Sequence, residues 1–132
     1  MNKVIFACVH NAGRSQMAAA FFNRFANPNR ARAISAGTEP GEAVHPEVVA
    51  AMREVGIDLS GARPQRLTDE LAGKTALLVT MGCGEKCPLI PGLERLDWSL
   101  SDPKGQPPAE VRRIRDDVRD RVAALVDTRG WR

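Results

Sequence analysis

The sequence of 132 residues contains no tyrosine, and aromatic residues make up only 5% of it. Proteins that bind nucleic acids usually combine aromatic side chains with a block of basic ones. Here the net charge is only +3, and many of the arginines alternate with acidic residues in the segment EVRRIRDDVRDR, 110–121. Such alternation is typical of a solvated helix face. We therefore expect no nucleic-acid partner.

The sequence also has no long apolar run, and none approaches the roughly 18 residues that span a membrane. Its first residues, MNKVIFACV, contain one lysine and a short apolar run, but no small-residue cleavage site follows. This pattern indicates a buried strand rather than a signal peptide. We expect a cytoplasmic monomer without membrane contacts, folded as one domain over residues 1–132.

Cysteines are few, namely Cys8, Cys83 and Cys87. An odd number in a reducing compartment argues against a framework of structural disulfides. Three uses remain open for these thiols: packing in the core, metal binding, and redox or nucleophilic chemistry.

Short apolar segments alternate with helix-forming ones along the chain. Strands are predicted at 3–9, 30–37, 75–82 and 93–100, and helices at 14–25, at 45–56, within 64–73 and from Pro108 onward. In the last helix the apolar residues at helical spacing are Val111, Ile114, Val118, Val122 and Leu125. The alternation predicts an α/β fold with a parallel sheet covered by helices on both faces. Ligands bind such sheets at the carboxyl ends of the strands, where Cys8, Cys83 and Asp102 are expected.

The loop between the first strand and the first helix runs from Cys8 to Ser15. If it curls, its backbone N–H groups point inward and bind an anion. Asn11 and Gly13 tolerate unusual backbone angles, and the planar fork of Arg14 suits a tetrahedral oxyanion. The positive field favours the thiolate form of a cysteine, and Ser15 could donate a hydrogen bond to it. The predicted binding residues are Val9, His10, Asn11, Ala12, Gly13, Arg14 and Ser15. The alternative is that Cys8 is only a small buried residue of a strand.

The segment CVHNAGRSQMA, 8–18, resembles the phosphate-binding loop of the low-molecular-weight tyrosine phosphatases and of the arsenate reductases that share their fold. RSQMA favours the reductases, because the phosphatases usually have a proline shortly after the arginine and serine. SAG at 35–37, VTMGC at 79–83, CP at 87–88 and DP at 102–103 match as well. The resemblance covers nearly the whole chain and implies a flavodoxin-like, four-stranded parallel sheet flanked by helices.

The resemblance to arsenate reductases of the thioredoxin-coupled type also implies a mechanism. Cys8 attacks arsenic, Asp102 is the general acid, and Cys83 and Cys87 relay the electrons through successive disulfides. Arsenate is then the substrate and thioredoxin the electron donor, with no cofactor and no bound metal. Taken alone, the segment SLSDPKGQPP around Asp102 indicates only a turn.

Two departures from the family pattern keep alternatives open. Only GEK separates Cys83 from Cys87, and Gly82 stands where the first cysteine of the pair would be expected. The electron donor could therefore be a low-molecular-weight thiol that forms a mixed disulfide with Cys8. Ala19 stands where some relatives have an acidic residue that helps to bind potassium, so we expect a weak potassium site or none.

Two other kinds of protein remain as hypotheses. One is a phosphatase of the same fold, with Cys8 as nucleophile and Asp102 as acid, although no aromatic residue follows the DP pair. The other is an oxyanion or metal sensor without turnover, in which His10 and His45 could join cysteines around zinc.

Overall fold

The computed structural model describes residues 1–82 and 90–132. Its elements, in chain order, are β1 (Asn2–Cys8), α1 (Arg14–Phe25), β2 (Ala31–Gly37), α2 (Pro46–Arg53), α3 (Asp69–Gly73), β3 (Leu77–Thr80), β4 (Glu94–Asp97) and α4 (Pro108–Arg129). The four strands are parallel and lie in the order β2-β1-β3-β4. The predicted flavodoxin-like α/β fold, a four-stranded parallel sheet flanked by helices, is confirmed.

The alternation of side chains along β1 divides the core into two layers. Phe6 faces the larger layer, which contains α1, α2 and α4, and its ring contacts those of Phe22 and Trp98 at centroid distances of 5.8 Å. Ile5 faces the smaller layer beside α3. Successive residues of a strand point to opposite faces of the sheet, so one apolar strand supplies both layers.

The terminal helix α4 buries every apolar position that its sequence pattern predicts. It also buries Arg115, whose guanidinium donates to the carbonyl of Ala51 at 2.8 Å and to Glu54 at 2.9 Å. A buried guanidinium must have its N–H groups paired, so these bonds join α4 to α2. None of the helices in the described part of the chain is both long and apolar enough to cross a membrane.

The outer edge of β2 is covered by a side chain of α1. Asn23 donates to the carbonyl of Ala33 at 2.9 Å and accepts from its N–H at 2.8 Å. The side-chain amide thus makes the two hydrogen bonds that a neighbouring strand would make with Ala33. It does so at a sheet edge that could otherwise pair with another chain. Asn23 lies two turns along α1 from the loop that starts the helix.

Candidate active site

The loop between β1 and α1 turns its carbonyl groups outward. The carbonyls of Cys8, Val9, His10 and Ala12 accept hydrogen bonds of 2.8 to 3.3 Å from the backbone of segment 38–45. In a planar trans peptide the N–H of the next residue points the opposite way. The N–H groups of four loop residues, Val9, His10, Asn11 and Gly13, therefore face the inside of the loop, as an anion-binding nest requires.

Asn11 and Gly13 serve the loop in different ways. Asn11 has a φ of 52°, in the left-handed region, as predicted. Gly13 has a negative φ of −142°, so its backbone angles do not explain the glycine. The reason for a glycine here is that there is no space for a side chain. A methyl group there would lie 2.9 Å from Cγ of Pro103. Gly13 thus allows the segment that carries Asp102 to close over the loop.

Cys8 is the end of β1 and is 3% exposed. Its Sγ lies 2.9 Å from Oγ of Ser15, at the start of α1. Ser15 also accepts a hydrogen bond of 2.7 Å from Nδ2 of Asn11. The predicted contact between the Ser15 hydroxyl and the cysteine is present in this geometry. Cys8 also packs against the larger layer of the core.

Arg14 and Asp102 both line the pocket and lie close to each other. The Arg14 side chain is 12% exposed, and Nη1 donates to the carbonyl of Leu100 at 3.1 Å, while Nη2 lies 3.9 Å from Oδ2 of Asp102. Asp102 is half exposed, and its Oδ1 accepts from the backbone N–H of Lys104 at 3.0 Å. That turn holds the carboxylate at the mouth of the pocket with its second oxygen directed to Arg14.

These groups belong to a small cleft that is lined by Cys8, His10, Ala12, Gly13, Arg14, His45 and Asp102. The structure thus brings Cys8 and Asp102 together at the carboxyl edge of the parallel sheet, as predicted, with Arg14 beside them. Val9, Asn11 and Ser15 shape the loop behind this lining. Cys83 and Cys87 lie outside the described residues.

His45 is a pocket residue that the sequence did not assign to oxyanion binding. It precedes α2, its N–H donates to the carbonyl of Ala12 at 2.9 Å, and its Cδ2 lies 3.6 Å from where a methyl group on Gly13 would be. The sequence suggested this histidine only as a zinc ligand. Within residues 1–82 and 90–132, no group of three or more His, Cys, Asp or Glu side chains could hold a metal ion.

The residues around Asn11 do not fit a potassium ion. Ala19 is buried and supplies no side-chain oxygen. The carbonyl of Asn11 accepts from Nε2 of Gln16 at 3.0 Å, and that of Ser35 accepts from Nε2 of Gln65 at 2.9 Å. Asn11 and Ser35 match the rest of the potassium site in the relatives that bind potassium, and here each carbonyl oxygen already accepts a hydrogen bond from an amide group of the chain.

The family model for low molecular weight phosphotyrosine protein phosphatases matches residues 3–129. The chain belongs to this family. Within it, the chain is 35% identical over 129 residues to the glutaredoxin arsenate reductase of Synechocystis, with 96% of this chain and 97% of the relative covered.

Two solved structures of the family superpose closely on the chain. One is the thioredoxin-dependent arsenate reductase Cg_ArsC1' of Corynebacterium glutamicum, with a TM-score of 0.84 and 36% identity. That match covers 97% of this chain and 61% of the other protein. The second is an arsenate reductase in the phosphate binding state, with a TM-score of 0.84, 34% identity, and coverage of 97% and 98%.

Proposed function

We propose that the protein is a monomeric, cytoplasmic arsenate reductase, folded as one domain over residues 1–132. The observation that carries the proposal is that Cys8, which contacts the hydroxyl of Ser15, lines the same cleft as Arg14 and Asp102. It gains weight from the similarity to arsenate reductases over nearly the whole chain. The relative in the phosphate binding state supports an oxyanion as the ligand, since arsenate and phosphate are both tetrahedral.

In the first step, the thiolate of Cys8 attacks the arsenic of arsenate. A sulfur–arsenic bond forms, one arsenic–oxygen bond breaks, and the oxygen leaves as water with a proton from the carboxyl group of Asp102, which takes up this proton from solvent before the step. The inward N–H groups of the loop and the guanidinium of Arg14 stabilise the negative charge on the remaining oxygens. No oxidation state changes in this step.

In the second step, the thiolate of Cys83 attacks Sγ of Cys8. The electron pair of the sulfur–arsenic bond passes to arsenic, which is reduced from As(V) to As(III) and leaves as arsenite. The two sulfurs are oxidised to a Cys8–Cys83 disulfide. The thiolate of Cys87 then attacks Cys83, which releases Cys8 as a thiolate and leaves a Cys83–Cys87 disulfide.

Thioredoxin is the proposed electron donor, because its dithiol reduces protein disulfides by exchange. The structural relative from Corynebacterium glutamicum is described as thioredoxin-dependent, whereas the Synechocystis relative is named for glutaredoxin. Thioredoxin and glutaredoxin should therefore be compared directly as electron donors. A donor acting through a low-molecular-weight thiol would form a mixed disulfide with Cys8 and would leave Cys83 and Cys87 dispensable.

The test is a coupled assay of NADPH oxidation with arsenate, the purified protein, thioredoxin and thioredoxin reductase. Each component is omitted in turn, and a parallel series replaces thioredoxin with glutathione, glutaredoxin and glutathione reductase. We expect arsenate-dependent oxidation with thioredoxin. Oxidation only in the glutathione series would overturn the relay, and oxidation in neither series, with hydrolysis of an aryl phosphate, would establish the phosphatase alternative.

A further inference from the structure

Gln16 lies in the first turn of α1 and is 6% exposed, but it does not line the cleft. Its Nε2 lies 3.0 Å from the carbonyl oxygen of Asn11 and 3.3 Å from that of Arg63. Both carbonyls can only accept hydrogen bonds. The group that faces them must therefore be the NH₂ end of the Gln16 amide.

The orientation of the Asn11 amide is fixed in the same way. Its Oδ1 accepts from the backbone N–H of Gln65 at 2.9 Å. Nε2 of Gln16 lies 3.3 Å away and shares its two hydrogens among this oxygen and the carbonyls of Asn11 and Arg63. A backbone N–H can only donate, so the atom in this position is the amide oxygen. The NH₂ end of Asn11 therefore faces Ser15 and donates to its Oγ at 2.7 Å.

The direction of the Ser15 proton follows from these assignments. Since Ser15 Oγ accepts from Asn11, its own hydroxyl hydrogen is free for its other neighbour, Sγ of Cys8 at 2.9 Å. The hydrogen bonds thus run one way, from Gln16 to Asn11, from Asn11 to Ser15, and from Ser15 to Cys8. A hydrogen bond donated to sulfur stabilises the thiolate, which is the nucleophilic form of cysteine.

We propose that Gln16 is a positioning residue that keeps the Ser15 hydroxyl directed at Cys8 by holding the Asn11 amide in one orientation. Without Gln16, Asn11 loses the donor to its carbonyl, and the carbonyl of Arg63 loses its hydrogen bond to α1. Gln65, two residues after Arg63, supplies the main donor to Oδ1 of Asn11, so that donor is then no longer held in place. The amide of Asn11 can then turn and present an oxygen to Ser15, whose hydroxyl would donate to Asn11 instead of to Cys8. The inference rests on this geometry and holds whether the oxyanion is arsenate or phosphate.

The test is the pH profile for alkylation of Cys8 by iodoacetamide, measured by mass spectrometry of the peptide that contains Cys8. Gln16→Met preserves side-chain length and removes the donor. We expect the midpoint of its profile to move up by about one pH unit, which is roughly a tenfold loss of thiolate at a pH below both midpoints. The ionisable and charged neighbours of Cys8 in the cleft are unchanged in this variant, namely His10, Arg14, His45 and Asp102.

Asn23→Leu is the matched control, because Asn23 is another α1 amide bonded to backbone, at Ala33. Its profile should coincide with that of the unmodified protein even if its melting temperature falls. On a Ser15→Ala background, Gln16→Met should cause no further shift, because the path to Cys8 is already broken.

Three results would overturn the proposal. They are an unchanged midpoint in folded Gln16→Met, an equal shift in Asn23→Leu, or a full further shift on the Ser15→Ala background. If Gln16→Met does not fold, Gln16→Asn replaces it, because the shorter amide keeps its polarity but cannot reach both carbonyls. An unchanged midpoint in Gln16→Asn would then overturn the proposal equally. An arsenate assay is not needed, so this test fails or succeeds independently of the proposed reaction.

Discussion

A methyl group on Gly82 would lie 2.5 Å from Nη1 of Arg14, so the guanidinium packs directly on the backbone of this glycine. Gly82 has a φ of +84° and is the last described residue before Cys83. A side chain in this position would displace the guanidinium of Arg14, which contacts Leu100 and faces Asp102. Gly82 therefore fixes the position of the Arg14 guanidinium.

Gly82→Ala should weaken the binding of phosphate and arsenate by roughly tenfold, as expected for the loss of a charge-assisted hydrogen bond. Isothermal titration calorimetry measures this. Gly92→Ala is the control, because Gly92 has a similar φ of +82° with no atom near its missing side chain. If both variants bind the anion equally well, Gly82 does not position Arg14.

Asp102→Asn should lower kcat by about 10²–10⁴, the usual loss when a general acid is removed. Anion binding should persist or strengthen, because a negative charge near Arg14 is removed. Asp58→Asn is a suitable control, since Asp58 accepts from the N–H of Ser60 in a similar turn outside the cleft. Steady-state kinetics measure the loss of kcat, and anion titrations measure the binding separately. A normal kcat in Asp102→Asn would contradict the role of Asp102 as general acid.

Cys87→Ser should complete about one turnover and then stop, because the Cys8–Cys83 disulfide has no thiol to resolve it. Peptide mapping by mass spectrometry under non-reducing conditions should find Cys8 joined to Cys83. Repeated turnover of this variant with thioredoxin as the only donor would show that Cys87 is not part of the relay.

Glu54→Gln should destabilise the protein at neutral pH, with the effect vanishing in acid. Hydrogen bonds from Arg112, which has the larger effect, and from Arg115 lower the pKa of Glu54 from 4.5 to about 2. Because the folded-state pKa is depressed, the stabilisation is complete above the unfolded value and is lost as the pH falls from 4.5 toward about 2.

Urea denaturation across this pH range measures the effect of Glu54→Gln. The control is Glu70→Gln, which removes a highly exposed partner of Lys74 and should have little effect on stability. A difference between Glu54→Gln and the unmodified protein that stays constant down to the lowest pH would contradict this account.

Potassium should not stabilise the protein. Ala19 supplies no ligand, and Gln16 already donates to the carbonyl of Asn11. Melting temperatures in potassium and sodium chloride at equal ionic strength should coincide, and a rise specific to potassium would contradict the prediction.

The fold was predictable because its signals are local. Helix α1 begins and ends at the predicted residues, where the Asn-Pro-Asn turn stops it, and the apolar spacing of α4 predicts its buried face. Helix α2 was predicted over 45–56 but ends at Arg53, and a turn to Gly56, with a φ of +81°, follows it. Strands β3 and β4 are shorter than their apolar segments, because only part of each pairs with a neighbour.

The site was only partly predictable. Cys8, Arg14 and Ser15 share one short segment, and parallel-sheet topology brings Asp102 to them. The contacts of Gln16 with Arg63 and of Asn11 with Gln65 span 47 and 54 residues. They depend on an irregular segment without helical or strand periodicity, and no sequence pattern indicates where such a segment lies. The same is true of Gly82 beside Arg14 and of His45 beside Gly13.

The most direct test of the account is a single-turnover reaction without any external donor. The protein is fully reduced, freed of reductant, and mixed with excess arsenate, and arsenite is quantified by chromatography with mass detection. We predict about one arsenite per chain with a Cys83–Cys87 disulfide, because the three thiols of one chain supply the two electrons, and none from Cys8→Ser. No arsenite from the reduced protein would contradict the relay, and no arsenite even with thiol donors added would contradict the reductase function itself.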